Sequence, residues 1–436
     1  MAETITLFEH EAKPFEWTDR DLVALERLNR AVGVKVVHAT VHGQQRKLQA
    51  QQMVGVVRFC GHTVQVLPKI YRTDTDERRQ AREATHNLLY LLAYAGQLSV
   101  REHTLAPLLR RNLDWFEILT HLFASHLLDE WQRGAHRGYQ VVENDLPVLK
   151  GKWRVAEQLR HPEQKCSFAV AYDEFTADNK LNRVFRFVVE RLWHLTRDAG
   201  NRQTLGKLRQ RMERVTLLPI VTTADANAAL LTRLNQRYEP LLNLARLFLT
   251  GGALQLAAGQ LTTFAFVFDM NQLFEAFLVN FIRRHRLQIL PPDLQDCELL
   301  PQSRGATFYL ARTGTTPIFQ LRPDLAFRQG QGFPLLLDAK YKRLDQADTK
   351  LGVSQADFYQ MHAYAYRYNC PRVLLVYPQT AGMPEPLSRR FTLENDNRTI
   401  VAATVDVRAE LRLWSEQQKL IEELRRVLGG KDDLWQ

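Results

Sequence analysis

Leu335-Leu336-Leu337-Asp338-Ala339-Lys340-Tyr341-Lys342 is the stretch on which the fold turns, and Arg322-Pro323-Asp324 places another acid fourteen residues before Asp338. Pro334 is followed by three leucines and then by polar residues at alternate positions, the pattern of a short buried strand with a polar end. Side chains alternate faces along a strand, so Asp338 and Lys340 project the same way while Ala339 and the leucines pack. The preceding segment, Phe319 to Phe327, also reads as a strand. Gly330 and Gly332 supply the connection of a hairpin. Such a hairpin brings Asp324 opposite Asp338.

Two carboxylates so placed make an oxygen-rich site suited to Mg²⁺, which takes hard ligands and keeps waters for a substrate. A bound metal polarises a phosphoryl oxygen and activates water, and a lysine two residues after the second acid can orient that water or stabilise charge on phosphorus. The bare spacing also suits a solvated Asp338–Lys340 pair at a strand end, with Asp324 a turn residue after Pro323. Upstream, Asp269 or Asn271 caps a helix whose Leu273, Phe277 and Phe281 fall at core spacing. Glu275 on that helix reads equally as a surface acid or as a carboxylate leaning toward the metal site. Downstream, residues 355–366 form another helix on which Gln360 and Tyr364 share a face at i and i+4, a pair that suits either phosphate contact or ordinary packing. His362 on the same helix reads as structural.

The order Asp269-Met270-Asn271-Gln272-Leu273-Phe274-Glu275, Arg322-Pro323-Asp324, Leu337-Asp338-Ala339-Lys340-Tyr341-Lys342 and Asp357-Phe358-Tyr359-Gln360-Met361-His362-Ala363-Tyr364 resembles the nuclease domain of the McrC family. Gly55 to Arg58, Leu67 to Ile70, Asn87 to Leu92 and Tyr172 to Arg183 are similar to further blocks of that family. The resemblance implies an endonuclease subunit of the McrBC (5-methylcytosine) modification-dependent restriction system with a PD-(D/E)xK core. It implies metal binding by Asp324 and Asp338, catalysis by Lys340, and a helix acid at Glu275. It further implies Mg²⁺ as cofactor, DNA as substrate, and as partner an McrB-like AAA+ GTPase hexamer that carries the GTP and whose hydrolysis the chain stimulates. In that family the N-terminal part engages the ring, which here is the chain up to about residue 250. Gln360 and Tyr364 also resemble the Gln-x-x-x-Tyr element of related exonuclease-like cores.

Composition agrees with a nucleic-acid enzyme. At 436 residues the chain is long enough for two or three domains. Its 58 Lys and Arg against 48 Asp and Glu leave a net charge of +10, which favours polyanion partners and is also what a solvated surface carries. The cysteines, at 60, 166, 297 and 370, include no CxxC pair, which excludes a zinc ribbon and fits free thiols in a reducing compartment. The N-terminus lacks a signal-peptide core, and no apolar run approaches the roughly 18 residues of a membrane span, so we expect a cytoplasmic protein. No GxxxxGK[ST] loop is present, so the chain brings no nucleotide motor of its own.

Texture divides the chain into a β-rich module at 1–75, a helical region at 76–250 and an α/β region at 251–436, a mixed sheet flanked by helices; the resemblance implies that these are a partner-binding module, a coupling domain and the nuclease domain. The expected fold class is therefore α+β and multidomain. In the first segment β-branched residues alternate with polar ones from Lys35 to Ile70, while residues 44–52 read as a projecting polar loop. In the second, Phe116, Leu119, Phe123 and Leu127 mark one helix and Leu181 to about Arg197 another. Arginines are dense there, including Arg110, Arg111, Arg183, Arg186 and Arg209, and suit either a phosphate backbone or a solvated face. Candidate nucleic-acid contacts are Gln360, Tyr364 and Lys342, with Lys150, Lys152 and Arg154 flanking Trp153. Val407 to Leu428 reads as a C-terminal helix docked on the nuclease core. Two other readings fit the residues: a non-cleaving activator and stalk of an AAA+ ring, and a stand-alone PD-(D/E)xK nuclease acting on other nucleic acid, RNA included.

Overall fold

Gly332–Ala339 is a strand in the computed structural model, buried on both faces through its leucines, and it lies third in a six-stranded mixed sheet. The structure describes residues 4–43, 45–72, 77–96, 113–160, 166–229, 231–233, 235–250, 264–305, 307–383, 385–394 and 396–429. The sheet order is Glu298–Pro301, Leu325–Gln329, Gly332–Ala339, Arg372–Pro378, Thr399–Val405 and Ser388–Thr392. The hairpin of Leu325–Gln329 with Gly332–Ala339 is antiparallel, whereas Gly332–Ala339, Arg372–Pro378 and Thr399–Val405 run parallel. Parallel strands must be joined by a crossover, and the helix Gln355–Arg367 provides it. Its Met361, Tyr364 and Ala365 pack with Leu336, Val373 and Leu375 from the sheet. The helices Met270–Arg284 and Trp414–Gly429 also contact strands of this sheet. Strands covered by helices read as continuous apolar runs, which is why Arg372–Pro378 and Thr399–Val405 alternate so little.

A second sheet joins the N-terminal segment to a strand from the second half of the chain. It runs in the order Thr4–Phe8, His62–Leu67, Met53–Phe59 and Phe264–Asp269, so its last strand leads directly into the Met270–Arg284 helix. Gly55 makes this pairing feasible: a Cβ there would lie 2.0 Å from the Phe266 carbonyl oxygen, closer than any side chain tolerates. The helix Asp19–Val32, opened by a Thr18–Asp21 capping box, sets Ala24, Leu25 and Leu28 against Val57, Val64 and Ala265.

The chain therefore forms two compact units, one comprising residues 1–111 and 259–436 and the other residues 112–258. The N-terminal strands belong with the C-terminal segment because Phe264–Asp269 pairs with Met53–Phe59. In the second unit the helices Trp115–Arg133, Lys180–Leu195 and Glu239–Thr250 share an aromatic core of Phe116, Phe123, Phe185, Tyr238 and Phe248. It also carries a three-stranded antiparallel sheet, Gly138–Leu146, Phe168–Thr176 and Lys152–Trp153, which the expectation of a purely helical region omits. Tyr139, Val141 and Phe175 stay exposed on it, so no one-sided apolar alternation announces these strands.

Three further expectations are corrected. The polar run expected to loop out is the strand Gln45–Ala50, because Leu48 and Ala50 alternate into the core while Lys47 and Gln49 cover it. Phe319 to Phe327 is two strands, Thr316–Leu321 and Leu325–Gln329, interrupted where Pro323 lacks the N–H a ladder needs. The C-terminal helix begins at Trp414, and Val407 and Leu411 are buried ahead of it in a non-helical segment.

Candidate active site

Register sets the two acids together. Leu325 pairs with Leu337, so the next step out of the ladder faces Asp324 toward Asp338. Asp324 Oδ2 accepts a hydrogen bond of 2.7 Å from the Ala339 backbone N–H, which ties the turn to the strand end. Asp338 is 2% exposed, and Lys340 Nζ lies 2.7 Å from its Oδ2. The Lys340 backbone N–H donates to the Val376 carbonyl at 2.8 Å, so the parallel pairing extends far enough to hold the lysine in place. Lys340 Nζ also donates to Gln360 Oε1 at 2.9 Å, and Gln360 Nε2 donates to the Tyr364 hydroxyl at 3.1 Å. The i and i+4 pair on the crossover helix therefore supports the lysine.

Glu275 accepts a hydrogen bond of 3.0 Å from Gln302 Nε2, and its negative charge raises the pKa of both Asp324 and Asp338. Burial is the largest cause of the rise at Asp324, followed by the charges of Asp338 and Glu275; the Ala339 hydrogen bond and Lys340 offset only part of it. At Asp338 burial again leads, Lys340 opposes it, and the net shift is upward. At Lys340 burial favours the neutral amine, but Asp338, Asp357 and Asp324 outweigh it and hold the ammonium. Asp324, Asp338, Asp357 and Glu275 thus share one site with Lys340 and Lys342, and the acids outnumber the cations.

That imbalance fits a divalent metal. Asp324 and Asp338 offer hard carboxylate oxygens, and a cation between them would take the place of the protons that burial and repulsion favour there. Among the described residues no group of three or more His, Cys, Asp or Glu side chains is placed to hold a metal ion. Two protein carboxylates with the remaining positions left to water and substrate is the usual arrangement for Mg²⁺.

Asp357 is a further site residue that the sequence reading passed over. Burial raises its pKa, but hydrogen bonds from Lys342 and Ser354 outweigh that and leave it below the usual carboxylate range. Lys342 Nζ donates to Asp357 Oδ2 at 2.6 Å, and Lys340 Nζ is 4.0 Å from Asp357 Oδ1. Its signal was Ser354 three residues earlier, since the Ser354 hydroxyl caps the helix at the Asp357 backbone N–H. His362 is exposed and holds no metal-ligand cluster.

The other basic candidates belong to the second unit. Lys150 Nζ lies 3.8 Å from the Tyr172 ring centroid, and Arg154 pairs with Glu143 at 3.1 Å. Lys152 and Trp153 form a short exposed strand. Arg183 is bound to Asp178, and Arg209 to Glu190, so these arginines serve ion pairs inside the unit. Arg110 and Arg111 lie outside the described residues.

Glu9, 2% exposed, joins the N-terminal strand to the chain just beyond Lys340. Its Oε2 accepts from the Lys69 backbone N–H and from the Tyr341 hydroxyl, both at 3.0 Å. Burial, partly opposed by Lys69, raises its pKa from 4.5 to about 7. A carboxyl raised in the folded state holds its proton after the unfolded chain has lost it, so stability declines as pH rises from 4.5 to about 7. The loss is on the order of 3 kcal/mol. Glu9→Gln keeps the acceptor without the charge and should therefore lose less stability than the parent between pH 5 and pH 8. Urea denaturation at the two pH values checks this, and equal losses would rule it out.

Fold and site together define an α+β protein with a carboxylate–lysine site at the end of a mixed sheet. The model of the McrBC 5-methylcytosine restriction system component family matches residues 48–378, and the chain belongs to that family. Among solved structures it is similar to a chain of the refined half-complex from a tetradecameric assembly of Thermococcus gammatolerans McrB AAA+ hexamers with bound McrC. Identity there is 25% over 98% of this chain and 100% of that one, with a TM-score of 0.69. A chain of the Thermococcus gammatolerans McrBC complex is 29% identical over 65% of this chain and 88% of that one, with a TM-score of 0.51. No curated protein matches. Among the described residues no helix is long and apolar enough to cross a membrane.

Proposed function

We propose that this chain is the Mg²⁺-dependent DNA endonuclease subunit of a modification-dependent restriction system. It works with an McrB-like AAA+ GTPase hexamer whose GTP hydrolysis it stimulates. The observation that carries the reading is the convergence of Asp324, Asp338 and Lys340 at one end of the Gly332–Ala339 strand, the arrangement of a PD-(D/E)xK core. Family membership and the two McrBC complexes support the partnership.

Asp324 and Asp338 would hold the metal, which when bound polarises a phosphoryl oxygen and lowers the pKa of a coordinated water. Lys340, held by Asp338 and Gln360, presents its ammonium beside that position and stabilises charge gathering on the phosphoryl oxygens. Asp338, Asp357 and Asp324 keep Lys340 protonated, while Glu275 keeps the field around the two acids negative. Tyr364, its hydroxyl pushed up by burial and by both aspartates, stays a neutral support for Gln360.

The test is reconstitution of the full chain with an McrB-type ring, GTP and Mg²⁺ on 5-methylcytosine DNA and on the unmodified sequence. We expect cutting of the methylated duplex alone, dependent on GTP. Stimulated GTP hydrolysis without cutting would instead make the chain an activator of the ring.

A further inference from the structure

A cavity of about 280 Å³ opens where the N-terminal strand meets the chain leaving the catalytic strand, lined by Glu9, His10, Lys69, Arg72, Lys342 and Arg343. Four of the six, Lys69, Arg72, Lys342 and Arg343, are basic side chains. Lys69 is held by a 3.1 Å hydrogen bond from Nζ to the Tyr341 carbonyl and lies 4.6 Å from the centroid of the Tyr341 ring. Arg343 Nη2 donates to the Lys69 carbonyl at 2.8 Å, which leaves its charge uncancelled by that contact. Arg72 has Glu11 at 3.9 Å, a loose ion pair, and Lys342 has Asp357 at 2.6 Å. Glu9, the single acid of the lining, is already engaged by Lys69 N–H and Tyr341 O–H.

His10 completes the wall at a turn, in the left-handed backbone conformation, φ 64°. Burial and the charges of Lys69 and Arg343 keep its ring neutral, so it can donate one hydrogen bond without adding charge. The cavity is therefore an electropositive pocket with guanidinium and ammonium groups and a neutral donor, the chemistry that receives a phosphate.

Its place relative to the cutting site is fixed by the chain. Lys340 and Arg343 are three residues apart, at most about 11 Å of backbone. One DNA strand advances by about 3.4 Å of axis per phosphate, so a strand with its scissile phosphate at Asp324 and Asp338 carries neighbours within reach of the cavity.

We propose that this cavity binds a phosphodiester of the DNA strand flanking the bond that is cut, so that Lys69, Arg72 and Arg343 position the substrate for the catalytic strand. The proposal rests on the nuclease reading for what the bound strand is presented to. It is tested on the full chain by fluorescence anisotropy with a labelled duplex, in EDTA so that nothing is cut, between 50 and 200 mM salt. The Arg72→Gln/Arg343→Gln double variant should bind every duplex sequence more weakly, with a slope of log affinity against log salt smaller by about one per lost phosphate contact. Arg343→Lys, which keeps the charge, should keep most of the slope.

Unchanged affinity and slope in a folded double variant overturn the proposal, as does a parent chain that does not bind DNA. Should the double variant unfold, the exposed Arg72→Gln alone is read by the same slope. A fluorescent GTP analogue forms the second arm: loss of nucleotide binding with DNA binding intact would reassign the cavity to a nucleotide phosphate. Cleavage by the reconstituted complex is scored separately. A parent that binds with the expected slope and never cuts refutes the nuclease reading, whereas a parent that cuts while the double variant keeps its slope refutes this site alone.

Discussion

Asp338→Asn should reduce cleavage by the reconstituted complex by at least about 10³-fold, above the range for losing a single oxyanion donor, and should raise the stability of the metal-free chain. The first effect follows from removing one of the two carboxylates that can hold a metal. The second follows from a balance of charges. Breaking a buried ion pair by deleting one partner ordinarily costs about 3–5 kcal/mol, and Lys340 lies 2.7 Å from Asp338. Yet the pKa of Asp338 is raised despite that lysine, so burial with the Glu275 and Asp357 charges outweighs the attraction. A neutral amide of the same shape is the form this environment prefers, and Lys340 retains Gln360 at 2.9 Å and Asp357 at 4.0 Å. Lys340→Ala should also abolish cutting but with the opposite effect on stability, since it strips the ammonium from among the crowded acids. Plasmid cleavage and urea denaturation read both variants. Cutting by Asp338→Asn within tenfold of the parent would show the site to be misassigned.

Mg²⁺ should stabilise the chain, and by more as pH rises. In the metal-free protein the Asp324 and Asp338 carboxyls both titrate above their ordinary range: burial leads at each, joined by the Asp338 and Glu275 charges at Asp324 and by the Glu275 and Asp357 charges at Asp338. The folded state then binds more protons than the unfolded one at pH values above the usual carboxylate pKa, and stability falls with rising pH there. The slope is at most about 1.4 kcal/mol per pH unit for each proton retained. A cation that takes the place of the proton removes that slope, and its affinity grows as protons leave. Thermal melts with Mg²⁺ or EDTA at pH 6, 7 and 8 should therefore diverge with pH in the parent and stay together in Asp338→Asn. A Mg²⁺ shift independent of pH, or one retained by the variant, would place the metal elsewhere.

Both results depend on groups whose roles were unequally visible in the chain. The hairpin was legible because three leucines, a two-glycine connection and an alternating Asp-x-Lys leave little freedom in register, and the ladder does pair Leu325 with Leu337. The helix at 270 was legible from its cap and apolar spacing, and on the helix at 355 Gln360 and Tyr364 share a face as the i, i+4 rule requires. Asp357 was not, because a helix-capping acid looks the same whether or not two lysines reach it. The strand Gln45–Ala50 was missed because charged and amide side chains can line the open face of a half-buried strand and mask its alternation.

What the sequence by itself determined was local: which segment is a strand, which residues alternate to one side of it, and hence which acids and which lysine can share a site. Periodicity acts over a few residues, and so does its information. Only the tertiary structure decided that the strand Phe264–Asp269 joins the N-terminal sheet, and that Glu9 reaches Tyr341 across more than three hundred residues of chain. It likewise brought Lys69, Arg72 and Arg343 around one cavity near the end of the Gly332–Ala339 strand. Those contacts depend on buried surface and electrostatics summed over the whole unit, and no window of sequence contains them.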